Sequence, residues 1–114
     1  MAWFEADIYE KCVELDLHNY SKRTALVVVR EKIKEAFEHG FRHVRLIHGA
    51  RTVTDRNEGG SMKFQLRSMI KNGELDKWIE KKNSIIKDGY IILELKKNPT
   101  PSDREWNELP LEEY

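Results

Sequence analysis

The sequence predicts an α/β protein, a two-layer sandwich in the order β-α-β-α-β-β with a four-stranded mixed sheet and two helices on one face. Three observations carry this. Two apolar runs, Val13 to Leu17 and Val44 to Ile47, each stop at a histidine, His18 and His48, with one helix-length segment between them. A second helical segment then runs from Ser61 to about Asn72. Finally, Tyr90 to Lys97 has the β-rich composition of a closing strand.

Residues 1–11 hold Trp3, Phe4, Ile8 and Tyr9 among acids, a spacing that suits either a short helix or an irregular segment lying on the body. From Cys12 to His18 the alternation is cleaner. Val13, Leu15 and Leu17 point one way and Glu14, Asp16 and His18 the other, so the first strand carries a carboxylate and an imidazole on its polar face.

Ser21 is the expected N-cap of a helix to about His39, with Leu26, Val29, Ile33, Ala36 and Phe37 at core spacing and Gly40 as the stop. Phe41 and Val44 to Ile47 then read as a near-continuous apolar strand buried on both faces or nearly so, interrupted by Arg45. Residues 49–61 form a polar loop with glycines at its ends, long for a βα connection, and long loops are more often functional than structural.

Ser61 is a candidate cap for the second helix, with Met62, Leu66, Met69 and Ile70 inward and Gly73 ending it. Lys63, Arg67 and Lys71 recur every fourth residue and make a basic stripe, which a solvated face also explains. A weaker strand pattern follows over Leu75 to Lys82, with Trp78 in it, then a turn at Asp88-Gly89 and the closing strand. Two parallel crossovers would set both helices on one side and leave the other side of the sheet open.

A chain of 114 residues buries one modest core. We expect an N-terminal extension over 1–11, a domain over 12–98, and an acidic, proline-containing tail over 99–114 whose Trp106, Leu109, Leu111 and Tyr114 could dock. The apolar runs fall far short of a membrane span, and Asp7, Glu10 and Lys11 interrupt the stretch that would serve as a signal peptide. One cysteine, Cys12, leaves no internal disulfide and no cysteine-rich zinc site. A reducing cytoplasm is the expected compartment.

The net charge of zero conceals a distribution. Residues 1–18 and 98–114 each carry one base against five acids, whereas 19–97 carry 18 bases and 10 acids. A basic body of +8 between acidic ends suits a polyanionic partner, although lysines and arginines also simply solvate a small domain.

Leu15-Asp16-Leu17-His18, a helix, and then Leu46-Ile47-His48-Gly49 resemble the Smr (small MutS-related) domain, whose hallmarks are an LDLHG-like first motif and an IHGxG-like second one. Gly60 to Arg67 is similar to that family's start of helix two and Tyr90 to Lys96 to its closing strand, so the resemblance covers about 13–97. It implies a fold like the C-terminal domain of translation initiation factor three, and nucleic-acid binding with endonuclease or nicking activity in many members. Asp16 and His18 match the first motif; His48 and Gly49 match the second. Asn19 replaces the glycine after the first histidine, Ala50-Arg51 stands where the second motif finishes with glycine, and the loop beyond is longer than the family's turn.

Cleaving a phosphodiester at neutral pH requires a group to accept a proton from the attacking oxygen, and cations for the charge that develops on phosphate. Histidine suits the first role and arginine the second. The candidate catalytic residues are therefore Asp16, orienting or activating His18, with His48 as a second acid or base or a phosphate contact. The candidate nucleic-acid contacts are Lys22, Arg23, Gly49, Arg51, Lys63 and Arg67, with the Arg51 guanidinium standing in for the glycine backbone of the second motif.

An RNA substrate offers its own 2′-OH as nucleophile and needs no metal; on DNA a water would attack, magnesium being the candidate cofactor. A metal site built from Asp16, His18, His39, His43 and His48 is the lesser alternative, since no tight ligand motif such as HExxH is present. No zinc finger or RNA-recognition aromatic motif appears, which favours RNA or branched structures over sequence-specific reading. A binding module without catalysis, and a protein-interaction module using the acidic aromatic tails, are the other two readings. A ribosome or another protein is a candidate partner.

Overall fold

The computed structural model describes residues 3–7, 9–17, 20–48, 62–87 and 89–102, with the backbone alone at 3–5, 22 and 62. Strand β1 (Trp3–Asp7) and strand β2 (Cys12–Asp16) form an antiparallel hairpin, with Trp3 opposite Asp16 and Asp7 opposite Cys12. Neither the helix nor the irregular segment expected for residues 1–11 is found over 3–7. The cause is the turn: an Asp7 carboxylate oxygen accepts the N–H groups of Tyr9 and Glu10, both at 3.0 Å, and Lys11 takes a left-handed φ of 54°. The chain folds back on itself, Ala6 falls opposite Val13, and the sheet gains an edge strand.

Helix α1 (Lys22–Glu38) starts where expected, because the Ser21 hydroxyl accepts the Thr24 N–H at 3.3 Å. Its buried stripe is Ala25, Val28, Val29, Ile33 and Ala36, whereas Leu26 and Phe37 are only partly covered. The helix is thus rolled relative to the predicted stripe, and its covered face includes Thr24, Lys32 and Glu35. The Lys32 ammonium lies 2.6 Å from the Glu35 carboxylate, an ion pair formed one turn apart on the same face.

Strand β3 (His43–Ile47) pairs with β2 in parallel, Val13 beside Val44 and Leu15 beside Leu46. It is not buried on both faces, since Val44 and Leu46 are buried while His43, Arg45 and Ile47 are only half so. Helix α2 (Met62–Lys71) follows, with Leu66, Met69 and Ile70 buried and Gly73, at φ 81°, just past its end. The candidate cap Ser61 lies outside the described residues, as does the loop over 49–61.

The expected strand over 75–82 is absent. Residues 72–78 form turns, Ile79 makes an isolated bridge to Leu95, and Lys81–Asn83 is a single 3₁₀ turn. Leu75 and Ile79 are buried, so their apolar spacing serves the core rather than a ladder. The strand that precedes the hairpin is instead β4 (Ile85–Ile86), antiparallel to β5 (Tyr90–Glu94). Lys87 donates its N–H to the Tyr90 carbonyl at 2.9 Å across the connection; Asp88 lies outside the described residues.

The sheet therefore has five strands rather than four, in the order β1-β2-β3-β5-β4. Only β2 and β3 are parallel neighbours, because the chain enters β5 from a hairpin and so runs antiparallel to β3. Because β5 is antiparallel to both β3 and β4, β4 runs in the direction of β3, so α1 and α2 each follow one strand and precede another parallel to it, as expected, with β5 inserted between the second pair. Both helices still lie on one face: Val13, Leu15, Val44, Leu46, Ile91 and Leu93 share one core with residues of α1 and α2. The other face, with Glu14, Asp16, Arg45, Ile47, Tyr90 and Ile92, is half-covered.

Residues 98–102 close the C-terminal end of α1. The Asn98 amide donates to the carbonyls of Phe37 and Glu38 at 3.0 and 3.2 Å, and the Ser102 N–H donates to Glu38 at 2.7 Å. Gly40 sits at φ 79°, and a Cβ there would come within 2.6 Å of Pro101, so both conformation and contact require glycine.

Candidate functional site

The parallel pairing of β2 and β3 sets their C-terminal ends side by side. Asp16 is in register with Ile47, and the Leu17 N–H donates to the Ile47 carbonyl at 2.8 Å, so the two polar signatures meet. After Leu17 the chain turns into α1; the Tyr20 N–H returns to the Leu17 carbonyl at 3.1 Å and Ser21 caps the helix. The N-terminus of α1 therefore opens beside the end of β2, where the unsatisfied N–H groups of a first helical turn favour anions. After Ile47, the His48 N–H donates to the Gly89 carbonyl at 3.1 Å, which ties the second motif to the hairpin before β5.

The candidate side chains separate by pleat. Cys12, Glu14 and Asp16 alternate with buried Val13, Leu15 and Leu17, so Asp16 belongs to the open face. His48 continues the buried series Val44 and Leu46 and is 6% exposed, on the side of the helices. Arg23 stands exposed in the first turn of α1, whose second helical residue it is; Lys22 precedes it. Lys63 and Arg67 lie one turn apart on α2, Lys63 half-buried and Arg67 exposed. His18, Gly49, Ala50 and Arg51 lie outside the described residues, as do residues 103–114 of the tail.

Beside Asp16 the open face carries its own charge pair, which residue-by-residue reading did not single out. Arg45 reaches Glu14 across the parallel strands at 3.3 Å, and its guanidinium stacks 4.6 Å from the centroid of the Tyr90 ring on the other neighbour. Cross-strand register would have exposed this trio, since Glu14 pairs with Arg45 and Tyr90 is diagonal to it. Cys12, His43 and Glu94 align across the same three strands. Burial, and then the nearby Glu14 carboxylate, push the Cys12 thiol above its ordinary value, the opposite of what an activated nucleophile needs. Among the described residues no group of three or more histidine, cysteine, aspartate or glutamate side chains could hold a metal ion, and no helix is long and apolar enough to cross a membrane.

A family model described as the Smr domain matches residues 15–90, from the first leucine of the first motif to the start of β5. No curated protein and no solved structure matches the chain.

Proposed function

Since the chain belongs to the Smr domain family, we propose that it binds nucleic acid and acts as an endonuclease on phosphodiester bonds in RNA or in structured or branched DNA. The observation that carries this reading is the meeting of the two motifs, with the ends of β2 and β3 joined through Leu17 and Ile47 at the mouth of α1. Crevices beyond the C-terminal ends of parallel strands are where α/β proteins take anionic ligands.

In this proposal His18 is the general base and Asp16, two residues before it on the polar side of the strand, orients its imidazole. On RNA, His18 takes the proton of the 2′-OH, the 2′-oxygen bonds to phosphorus, the bond to the 5′-oxygen breaks, and that oxygen leaves with a proton from a general acid or water. On DNA the attacking oxygen is that of water. Arg23, Lys22 and Arg51 neutralise the phosphate, and His48 forms the floor of the site from the helix side, acting through position rather than as a proton carrier.

A second reading, a binder without catalysis, is favoured by the departure of the second motif at Ala50-Arg51 and by the burial of His48. One experiment separates the two. Wild type and an Asp16→Ala/His18→Ala double mutant are incubated with labelled RNA and with single- and double-stranded DNA, with and without magnesium, and binding is followed against salt. Strand scission by the wild type alone supports the endonuclease, salt-dependent binding by both without scission supports the binder, and salt-insensitive binding removes the nucleic-acid reading.

A further inference from the structure

We propose that Arg45, laid over Tyr90 and tied to Glu14, is a stacking platform for one unpaired base of the nucleic acid, on the sheet face it shares with Asp16. This rests on the nucleic-acid reading above and deepens it, by naming the part of the substrate taken beside the first motif: a base, presented singly.

Register places the platform beside the site. Glu14 and Asp16 stand two residues apart on β2, Arg45 is level with Glu14 on β3, and Tyr90 of β5 is level with Ile47, which is itself level with Asp16. Residues level with one another share a face of the sheet, so these side chains all belong to the open one. With strands about 4.8 Å apart and about 3.3 Å between residues along a strand, the backbones of Arg45 and Asp16 are separated by about 8 Å, the scale of a single nucleotide.

The guanidinium is fixed from two sides. It lies 4.6 Å from the centroid of the Tyr90 ring, and its Nη1 donates to a Glu14 carboxylate oxygen at 3.3 Å. The Arg45 side chain is nevertheless 41% exposed, so surface remains for a ligand to meet. A planar, delocalised and weakly hydrated cation takes a base against its plane, and one already held in place loses little freedom on doing so. Stability gives no competing reason for arginine here: an exposed cross-strand ion pair contributes little, and a lysine would form it as well.

Charge decides which part of the ligand comes to this face. The strands carry Asp7, Glu14, Asp16 and Glu94 on it against Arg45, among the described residues. Glu14 already takes the charge of the arginine, so a phosphate would meet carboxylates, whereas a neutral base meets a plane. The backbone is left to the mouth of α1, where Arg23 stands exposed. A base inside a duplex is stacked on its neighbours and cannot reach the platform. The platform therefore selects an unpaired nucleotide without reading its sequence.

The test is fluorescence anisotropy with the full chain and a short labelled 2′-O-methyl RNA strand, whose blocked 2′-oxygen prevents its own cleavage, beside an abasic strand of the same length. Both carry the same phosphates, and only the first carries bases. Arg45→Lys, which keeps the charge but not the plane, should bind the intact strand roughly tenfold more weakly, within the range for one lost stacked base. It should bind the abasic strand as the wild type does, with the same salt slope and unfolding temperature. Tyr90→Leu, which removes the ring under the guanidinium, should repeat this pattern, while Tyr90→Phe should bind like wild type. Arg45→Lys binding the intact strand like wild type overturns the platform, and so does an equal loss on both strands, which would make Arg45 a phosphate contact. Either result leaves the nucleic-acid reading standing. Absence of salt-dependent binding by the wild type to either strand overturns both.

Discussion

Asp16 and His48 stand at neighbouring ends of two parallel strands and on opposite sides of the pleat: Asp16 is in register with Ile47, and His48, one residue further, is 6% exposed on the helix side. The two motifs therefore approach one mouth from different layers of the fold. This divides their expected roles, the first motif to the reacting atoms and the second to the shape of the site.

Substitutions in the two motifs should accordingly separate activity from stability. His18→Ala is expected to slow cleavage by about 10² to 10⁴, and Asp16→Asn by at least about tenfold, each changing stability by less than about 1 kcal/mol. His48→Ala should cost about 1 to 3 kcal/mol of folding free energy, because it empties a buried polar position. Cleavage assays beside urea unfolding check this. A His48→Ala protein as stable as wild type would show that its imidazole has no packing role.

The ion pair on α1 makes a sharper stability prediction. Lys32 and Glu35 are 2% and 6% exposed, so removing one partner leaves a charge in the covered layer. Lys32→Met should cost about 3 to 5 kcal/mol, whereas Lys32→Met/Glu35→Leu should lie within about 1 kcal/mol of wild type or above it. Denaturant midpoints of the two variants decide. Equal losses in both would mean that the pair is not coupled.

Cys12 offers a chemical readout of the open face. Its thiol is pushed up by burial and then by Glu14, with Arg45 opposing, so Glu14→Gln should lower it and speed alkylation at mildly alkaline pH. The sign for stability follows from linkage. A folded thiol that ionises later than the unfolded one stabilises fully below the unfolded value of about 8.5 and loses that contribution as pH rises through the folded value. Alkylation rates of folded wild type and Glu14→Gln across pH 7 to 10 test it; identical profiles would remove Glu14 from the account.

The end of α1 should depend on a short piece of the C-terminal segment and not on the acids beyond it. Truncation after Ser102 keeps the bonds from Asn98 and Ser102 to Phe37 and Glu38, whereas truncation after Lys97 removes them. We expect the second truncation to be less stable than the first by about 1 to 3 kcal/mol, the scale of lost caps and exposed carbonyls. Comparing unfolding temperatures checks this. If the acids beyond residue 102 screen the basic body, the first truncation should also bind nucleic acid more tightly at low salt.

Much of this protein was determined locally. Ser21 and Gly40 bound α1 and Gly73 ends α2 because capping and left-handed turns are properties of single residues. The alternation around Asp16 fixed its face, because a strand has a period of two whatever it pairs with. Tertiary structure decided what depends on partners. Residues 3–7 are a strand only because Asp7 and Lys11 turn the chain back onto β2. The apolar residues Leu75 and Ile79 fill the core without pairing as a strand, and the direction of β5 follows from the β4 hairpin. The pairing of Arg45 with Glu14 and Tyr90, the burial of Lys32 with Glu35, and the covering of His48 all arise between elements distant in sequence. Spacing along a chain reports which face a side chain takes, whereas what lies opposite that face is settled only when the layers meet.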